Sequence, residues 1–264
     1  MTTNTKSNTH HPLRGKTALV TGGSRGIGRA IAQRLATDGA LVAIHYGGND
    51  AAANETLKTI EQTGGQAFLV KAELGVKGDV DTLFRKLEKG LADRPLDILI
   101  NNAAVAPQIA LAQTSPEEFD RIFAINVRAP FFIIQRALAL MPDGGRIINI
   151  SSGVTWFATP ATVYSMTKGA LNVLSRSLAN SLGDRHITVN TISPGITDTD
   201  MNPSIRDKEA NAVDRVAAMT ALGRPGQPAD IADAVAFFAS GDARWITGET
   251  VEVNGGLFLG PREP

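Results

Sequence analysis

A short apolar run that ends in a glycine loop and opens into a helix constrains this chain more than any other feature. Residues 16–28 read KTALVTGGSRGIG. Lys16 to Thr21 is rich in strand formers, and Arg29-Ala30-Ile31-Ala32-Gln33-Arg34-Leu35-Ala36 has helical periodicity. Between them stand Gly22, Gly26 and Gly28. A strand, a glycine turn and a helix N-terminus make a phosphate site: the glycines let backbone approach the anion, and free N–H groups and the helix dipole favour its charge. The spacing is T-G-x-x-x-G-x-G rather than G-x-G-x-x-G. The bland alternative is a glycine-rich turn without a ligand, which the strand before and the helix after argue against.

The rest of the chain repeats this rhythm. Leu41 to Tyr46, Gln66 to Lys71, Leu96 to Ile100, Arg146 to Ile150, Ile187 to Ile192 and Thr250 to Val253 read as strands. Ala51 to Gln62, Asp79 to Leu91 and Pro228 to Ala239 read as helices, and a helix from Tyr164 stops at Gly183. Ser115-Pro116-Glu117-Glu118 opens a long helix within Ser115 to Met141, with a cap, a proline at its first position and acids in its first turn. Alternating buried strands and helices predict an α/β fold: one doubly wound, seven-stranded parallel sheet with helices on both faces, a single Rossmann domain over residues 13–264. Residues 197–223 break the rhythm after a strand end, where ligands of such sheets bind; they read either as a substrate cover or as a surface excursion.

Composition narrows the classes. The 264 residues balance 26 Lys and Arg against 26 Asp and Glu, which argues against nucleic acid as main partner. Without cysteine there are no disulfides, thiolate nucleophiles or cysteine metal sites. The polar N-terminus has no apolar signal core and no run reaches membrane-spanning length, so a cytoplasmic protein is expected. Residues 1–12 read as a disordered tail, in which His10-His11 are solvated.

Tyr164 and Lys168 lie four residues apart in YSMTK, so on a helix they share one face. An ammonium beside a phenol favours the phenolate, which makes a proton donor and acceptor that works near neutral pH. With the TGGSRGIG loop come NNAA at residues 101–104, Asn126 in FAINV, NISS ending at Ser152, SPG at 193–195 and TGETVEVNGG near the end. In this order, over Leu13 to Leu259, the chain resembles the short-chain dehydrogenase/reductase family, in particular its 3-oxoacyl-(acyl carrier protein)-reductase-like carbonyl reductases.

The resemblance implies hydride transfer between a nicotinamide and a carbonyl carbon, with Tyr164 as acid/base. Lys168 would lower its pKa and hold the nicotinamide ribose, and Asn126 would support a water leading to solvent. Strand register points to Ser152 as the serine that holds the substrate oxygen; counting thirteen residues back from the tyrosine points to Ser151. The implied cofactor cradle comprises Gly22, Ser24, Arg25, Gly26, Ile27 and Gly28, then Tyr46 and Gly47, Glu73 and Leu74, and Asn102, Ala103 and Ala104. Tyr164, Lys168, Pro194, Gly195, Thr197 and Thr199 complete it. No metal is implied. Ala104 replaces a family glycine and would be strained at positive φ. Members that choose NAD place an acid at the end of the second strand; here that strand runs into His45-Tyr46-Gly47-Gly48-Asn49, and Asp50 is expected beyond reach. With Arg25 placed to meet a 2′-phosphate, the expected cofactor is NADP(H). Trp156, Phe157, Val105 and Pro107 read either as the border of a pocket for a bulky aromatic ketone or as loop packing. A non-catalytic nucleotide-binding regulator has no need for the full set Asn126, Ser152, Tyr164 and Lys168, and an enoyl reductase commonly spaces its tyrosine and lysine more widely. The apolar end, with Val251, Val253, Leu257, Phe258 and Leu259, together with the Tyr164 helix, implies a homotetramer.

Overall fold

The strands are β1 (Thr17–Val20), β2 (Leu41–Tyr46), β3 (Gln66–Lys71), β4 (Ile98–Asn101), β5 (Arg146–Ile150), β6 (Thr188–Pro194) and β7 (Thr250–Val253). In the computed structural model, which describes residues 11–207 and 211–260, they form one seven-stranded sheet ordered β3-β2-β1-β4-β5-β6-β7. Every neighbouring pair is parallel. The winding reverses between β1 and β4, and the crevice outside their carboxyl ends is where such sheets take ligands.

The crossovers are α1 (Gly26–Thr37), α2 (Asp50–Gln62), α3 (Asp79–Leu91), α4 (Pro116–Phe123), α5 (Ala129–Ala137) and α6 (Thr162–Ser181). After β6 come α7 (Pro203–Arg206), α8 (Ala212–Met219) and α9 (Pro228–Ala239). Consecutive strand residues face opposite sides, and here both sides are apolar. Val20, Ile44, Ile100 and Ile148 share a core with Ile31 and Leu35 of α1 and Val235 of α9. Leu19, Leu99, Ile147 and Val189 share the other core with Leu83 of α3, Ile133 of α5 and Ala179 of α6. No helix among the described residues is long and apolar enough to cross a membrane.

Three expectations meet the structure differently. Residues 1–10 of the expected tail lie outside the described residues, but His11 Nδ1 donates to Thr37 O at 3.0 Å and so belongs to the folded chain. The stretch Ser115 to Met141 does contain one continuous helical run, residues 116–137, but it is not regular α-helix throughout. Ser115 caps α4 by accepting from Glu118 N, then a π-helical turn over Ala124–Arg128 separates α4 from α5. Pro130 has no N–H for the carbonyl of Asn126, so a regular α-helix cannot run through this point. At the C-terminal end, Leu257 is buried within its own chain while Leu259 is exposed.

Candidate active site

The glycine loop takes its shape from two requirements. Gly22 (φ +66°) and Gly26 (φ +53°) hold left-handed backbone, which glycine alone adopts freely. Gly28 is needed for space: a Cβ there would stand 2.2 Å from Gly22 O and 2.5 Å from Asn102 Nδ2. The loop therefore curls tightly onto the start of α1. That helix begins at Arg25 with no side-chain cap and no acid in its first turn, so its free N–H groups are available to an anion. The cradle fits the diphosphate of a dinucleotide. Thr21 Oγ1 accepts from Asn102 N (2.9 Å) and Ala103 N (3.0 Å), and Asn102 Nδ2 donates to Thr21 O (2.9 Å), tying this loop to the end of β4. Ser24 is buried, and its carbonyl accepts from Arg29 and Thr56.

His45 is the residue that sequence reasoning passed over. Its Nδ1 accepts from Gly22 N at 3.2 Å and its Nε2 donates to Ala72 O at 2.9 Å. Burial pushes its pKa down to about 4, so the ring is neutral at ordinary pH, with the one donor and one acceptor this bridge requires. It couples the first glycine to the loop that carries Glu73 and Leu74. The signal was a polar side chain inside an otherwise largely apolar strand, buried from Val42 to Tyr46.

At the far end of the cradle, Tyr46 is buried and its hydroxyl donates to Asp50 Oδ1 at 2.8 Å. Burial, with Asp50 adding to it, pushes the phenol up to about 12. Asp50 also takes Lys71 Nζ at 2.7 Å, so the acid expected to be remote folds back against the end of β2 with its charge countered. Gly47 and Glu73 are exposed, whereas Leu74 packs into the core. Arg25 is exposed and its Nη1 stands 3.6 Å from Asp200, so it faces the segment after β6. An exposed pair of this kind holds the side chain only weakly.

The second half of the site is built on α6. Thr167, Leu171, Ser175 and Ala179 bury one face of this helix. A polar chain fixes it there: Asn101 Nδ2 donates to Asn149 Oδ1, Asn149 Nδ2 to Ser175 Oγ, and Thr191 Oγ1 to Ser175 Oγ, at 2.8, 2.8 and 2.7 Å. Tyr164 and Lys168 thus face the ends of β5 and β6. Lys168 is buried, its Nζ donates to Ile150 O at 2.7 Å, and it stands 5.6 Å from the Tyr164 ring centre. Burial pulls Lys168 down to about 8. Burial also raises Tyr164, and the nearby Ser152 hydroxyl is the lowering influence on that phenol. The two serines diverge as neighbouring residues at a strand end must: Ser151 Oγ donates to Lys168 O at 3.2 Å, while Ser152 Oγ accepts from Val154 N at 3.4 Å and lines the cavity with Tyr164.

Asn126 lies in the π-helical turn, fully buried. Its Oδ1 accepts from Val105 N, and its Nδ2 donates to Val105 O, both at 2.9 Å, with Thr167 Oγ1 a further acceptor at 3.1 Å. The side chain clamps the loop after β4.

These groups open into a cavity of about 260 Å³. Ile27, Asn102, Ala104, Ser152, Tyr164, Lys168, Pro194, Gly195, Thr197 and Thr199 of the expected set line it. Ala104 has no positive φ, so alanine sits there without strain. Gly22, Ser24, Arg25, Gly26, Gly28, Tyr46, Gly47, Glu73, Leu74, Ala103 and Asn126 do not line it, and several of these form the cradle beside it. Of the four residues expected at the border, Phe157 lines the cavity, whereas Val105, Pro107 and the exposed Trp156 do not. Phe258, which sequence reasoning did not single out as a pocket residue, does.

Comparison with known proteins agrees with this arrangement. A family profile described as enoyl-(acyl carrier protein) reductase matches residues 22–258. An uncharacterized oxidoreductase of Methylorubrum extorquens is 42% identical over 93% of this chain and 98% of its own length. Tetrahydroxynaphthalene reductase of Pyricularia oryzae is 37% identical, covering 94% and 91% of the two chains. The crystal structure of landomycin C-6 ketoreductase with bound NADP and rabelomycin superposes with a TM-score of 0.87 at 52% identity, covering 94% of this chain and 98% of that one. The matched motifs, the sheet order and these relatives agree, and the chain belongs to the short-chain dehydrogenase/reductase family.

Proposed function

We propose that this NADP(H)-dependent oxidoreductase reduces the ketone of a fused-ring aromatic substrate to a secondary alcohol, with Tyr164 as the proton donor. The observation that carries the reading is the convergence of the Ser152 and Tyr164 hydroxyls, with Lys168, on one largely apolar cavity beside the glycine cradle. Two hydroxyls together there are what a carbonyl oxygen needs as it becomes an alkoxide. The landomycin and tetrahydroxynaphthalene reductases support the substrate class.

The cradle would hold NADPH, which would supply the hydride for the carbonyl carbon. Ser152 donates a hydrogen bond to the carbonyl oxygen and polarises it. Tyr164 gives its phenolic proton to that oxygen, and the Lys168 ammonium steadies the phenolate left behind. The Asn126 carbonyl, which Pro130 deprives of its α-helical donor, is the backbone group best suited to hold a water that returns a proton from solvent. The cradle residues, Gly22 to Gly28 above all, hold the diphosphate, and Arg25 meets the 2′-phosphate once its loose pair with Asp200 opens. A non-catalytic role has no observation in its favour. Reduction of C=C is disfavoured by the three residues between Tyr164 and Lys168.

The same proposal includes a homotetramer and a cytoplasmic location. An open groove of about 660 Å³ carries exposed Phe131 and Phe132, and Met166 and Val173 are bare on α6, which supports subunit contacts through α4, α5 and α6. The test of function is NADPH oxidation with tetralone, a two-ring aromatic ketone, beside an enoyl thioester. Reduction of tetralone to its secondary alcohol is expected. Turnover of the thioester alone, or of neither, contradicts the reading.

A further inference from the structure

The chain's last described residues fold back as a strap on the segment that follows β6. Leu222 N donates to Gly255 O (3.0 Å), Ala221 N to Gly256 O (3.3 Å) and Phe258 N to Met219 O (3.0 Å), with an antiparallel bridge between Thr220 and Leu257. Gly255 (φ +66°) and Gly256 (φ +76°) make this close approach possible. A Cβ on Gly256 would stand 2.6 Å from Ala221 Cβ, and one on Gly255 would stand 2.9 Å from Thr220 Cγ2. Buried Leu257 anchors the strap. The segment after β6 and the chain end are therefore one hydrogen-bonded unit.

That unit presents one side chain to the cavity in an unusual way. Phe258 has φ +57°, a left-handed conformation that an aromatic L-residue rarely adopts and that persists only where its surroundings enforce it. Its ring meets Phe157 edge to face, with centres 4.9 Å apart and planes at 61°. Both rings line the cavity that holds Ser152 and Tyr164. Phe157 itself depends on Gly153, where a Cβ would stand 2.9 Å from Phe157 Cε1. Phe258 remains 42% exposed, so part of an apolar ring is left for something else to cover.

We propose that Phe258 is a specificity-determining residue: strap and segment together form the lid, and Phe258 with Phe157 makes an aromatic wall that selects flat, fused-ring ketones over puckered aliphatic ones. This rests on the reading of the site as a ketoreductase. Flat aromatic faces and edges meet in offset or edge-to-face contacts that a saturated ring cannot match.

The test is the ratio of kcat/KM for tetralone to that for cyclohexanone, in the unmutated enzyme and in Phe258→Ala, Phe258→Tyr and Gly256→Ala. NADPH fluorescence on binding reports that each variant has folded. Phe258→Ala should lower the ratio by about tenfold, the scale of a lost aromatic contact. Phe258→Tyr should restore it. Gly256→Ala, which keeps both rings but drives a methyl into Ala221, should lower it as Phe258→Ala does. If Phe258→Ala leaves the ratio unchanged while the unmutated enzyme reduces both ketones, the strap's role is overturned and the ketoreductase reading stands. An unmutated enzyme that reduces neither ketone overturns both.

Discussion

At the scale of residues, burial moves the two central groups in opposite directions. It raises Tyr164, so the phenol stays protonated and ready to donate, and it lowers Lys168 to about 8. A group with pKa lowered to that value is charged below it and neutral above it. The ammonium that steadies the phenolate is therefore present at pH 7 and lost as pH rises through about 8. The rate of ketone reduction should fall over that interval in a kcat–pH profile; a profile flat to pH 10 contradicts this role for Lys168. At the cradle, Arg25→Ala should raise KM for NADPH about tenfold or more, the scale of a charge-assisted phosphate contact, with little change for NADH. Steady-state kinetics with both cofactors decides it. Sequence reasoning reached Tyr164 and Lys168 because helix spacing alone puts them on one face. It favoured Ser152 over Ser151 because adjacent strand residues point apart. It passed over His45 because a polar residue in an apolar strand does not by itself say which loops it joins, and one of its partners, Ala72, lies 27 residues further on.

At the scale of elements, the strand starting at Leu41, the one at Gln66, the helix from Asp79 and the helix from Pro228 were legible to the residue, since each has a clear period and clear stops. The break within Ser115 to Met141 was not. Apolar spacing carries on through Ala124–Arg128, and the cause, a proline four residues after Asn126, looks harmless until the missing donor is traced. The side chain of Asn126 then clamps Val105, a contact across 21 residues that no periodicity encodes. The glycine loop was legible as a phosphate cradle, but not the separate duties of its glycines. Gly28→Ala tests those duties, because its methyl has no room against Gly22 O. NADPH binding should weaken by tenfold or more in a fluorescence titration while the far-UV spectrum is kept; unchanged affinity would mean that the loop is looser than described.

At the scale of the whole molecule, the sheet brings the cradle, α6 and the lid to one edge of the crevice while bare apolar residues gather on α5 and α6. The sequence pointed to the chain end and the Tyr164 helix for subunit contacts; Leu257 is used internally, while Leu259, Met166 and Val173 are exposed, as are Phe131 and Phe132. Light scattering should give the mass of a tetramer at micromolar concentration, with Phe132→Glu shifting it downward; a monomeric unmutated chain contradicts the assembly. The central claim, that this molecule reduces a ketone by proton donation from Tyr164, is tested most directly by kcat of Tyr164→Phe with NADPH and tetralone. The substitution keeps the ring and removes only the transferable proton. A fall in kcat of about 10²–10⁴-fold, with NADPH still bound, is the predicted result. A variant that keeps a large share of the unmutated rate would contradict the account.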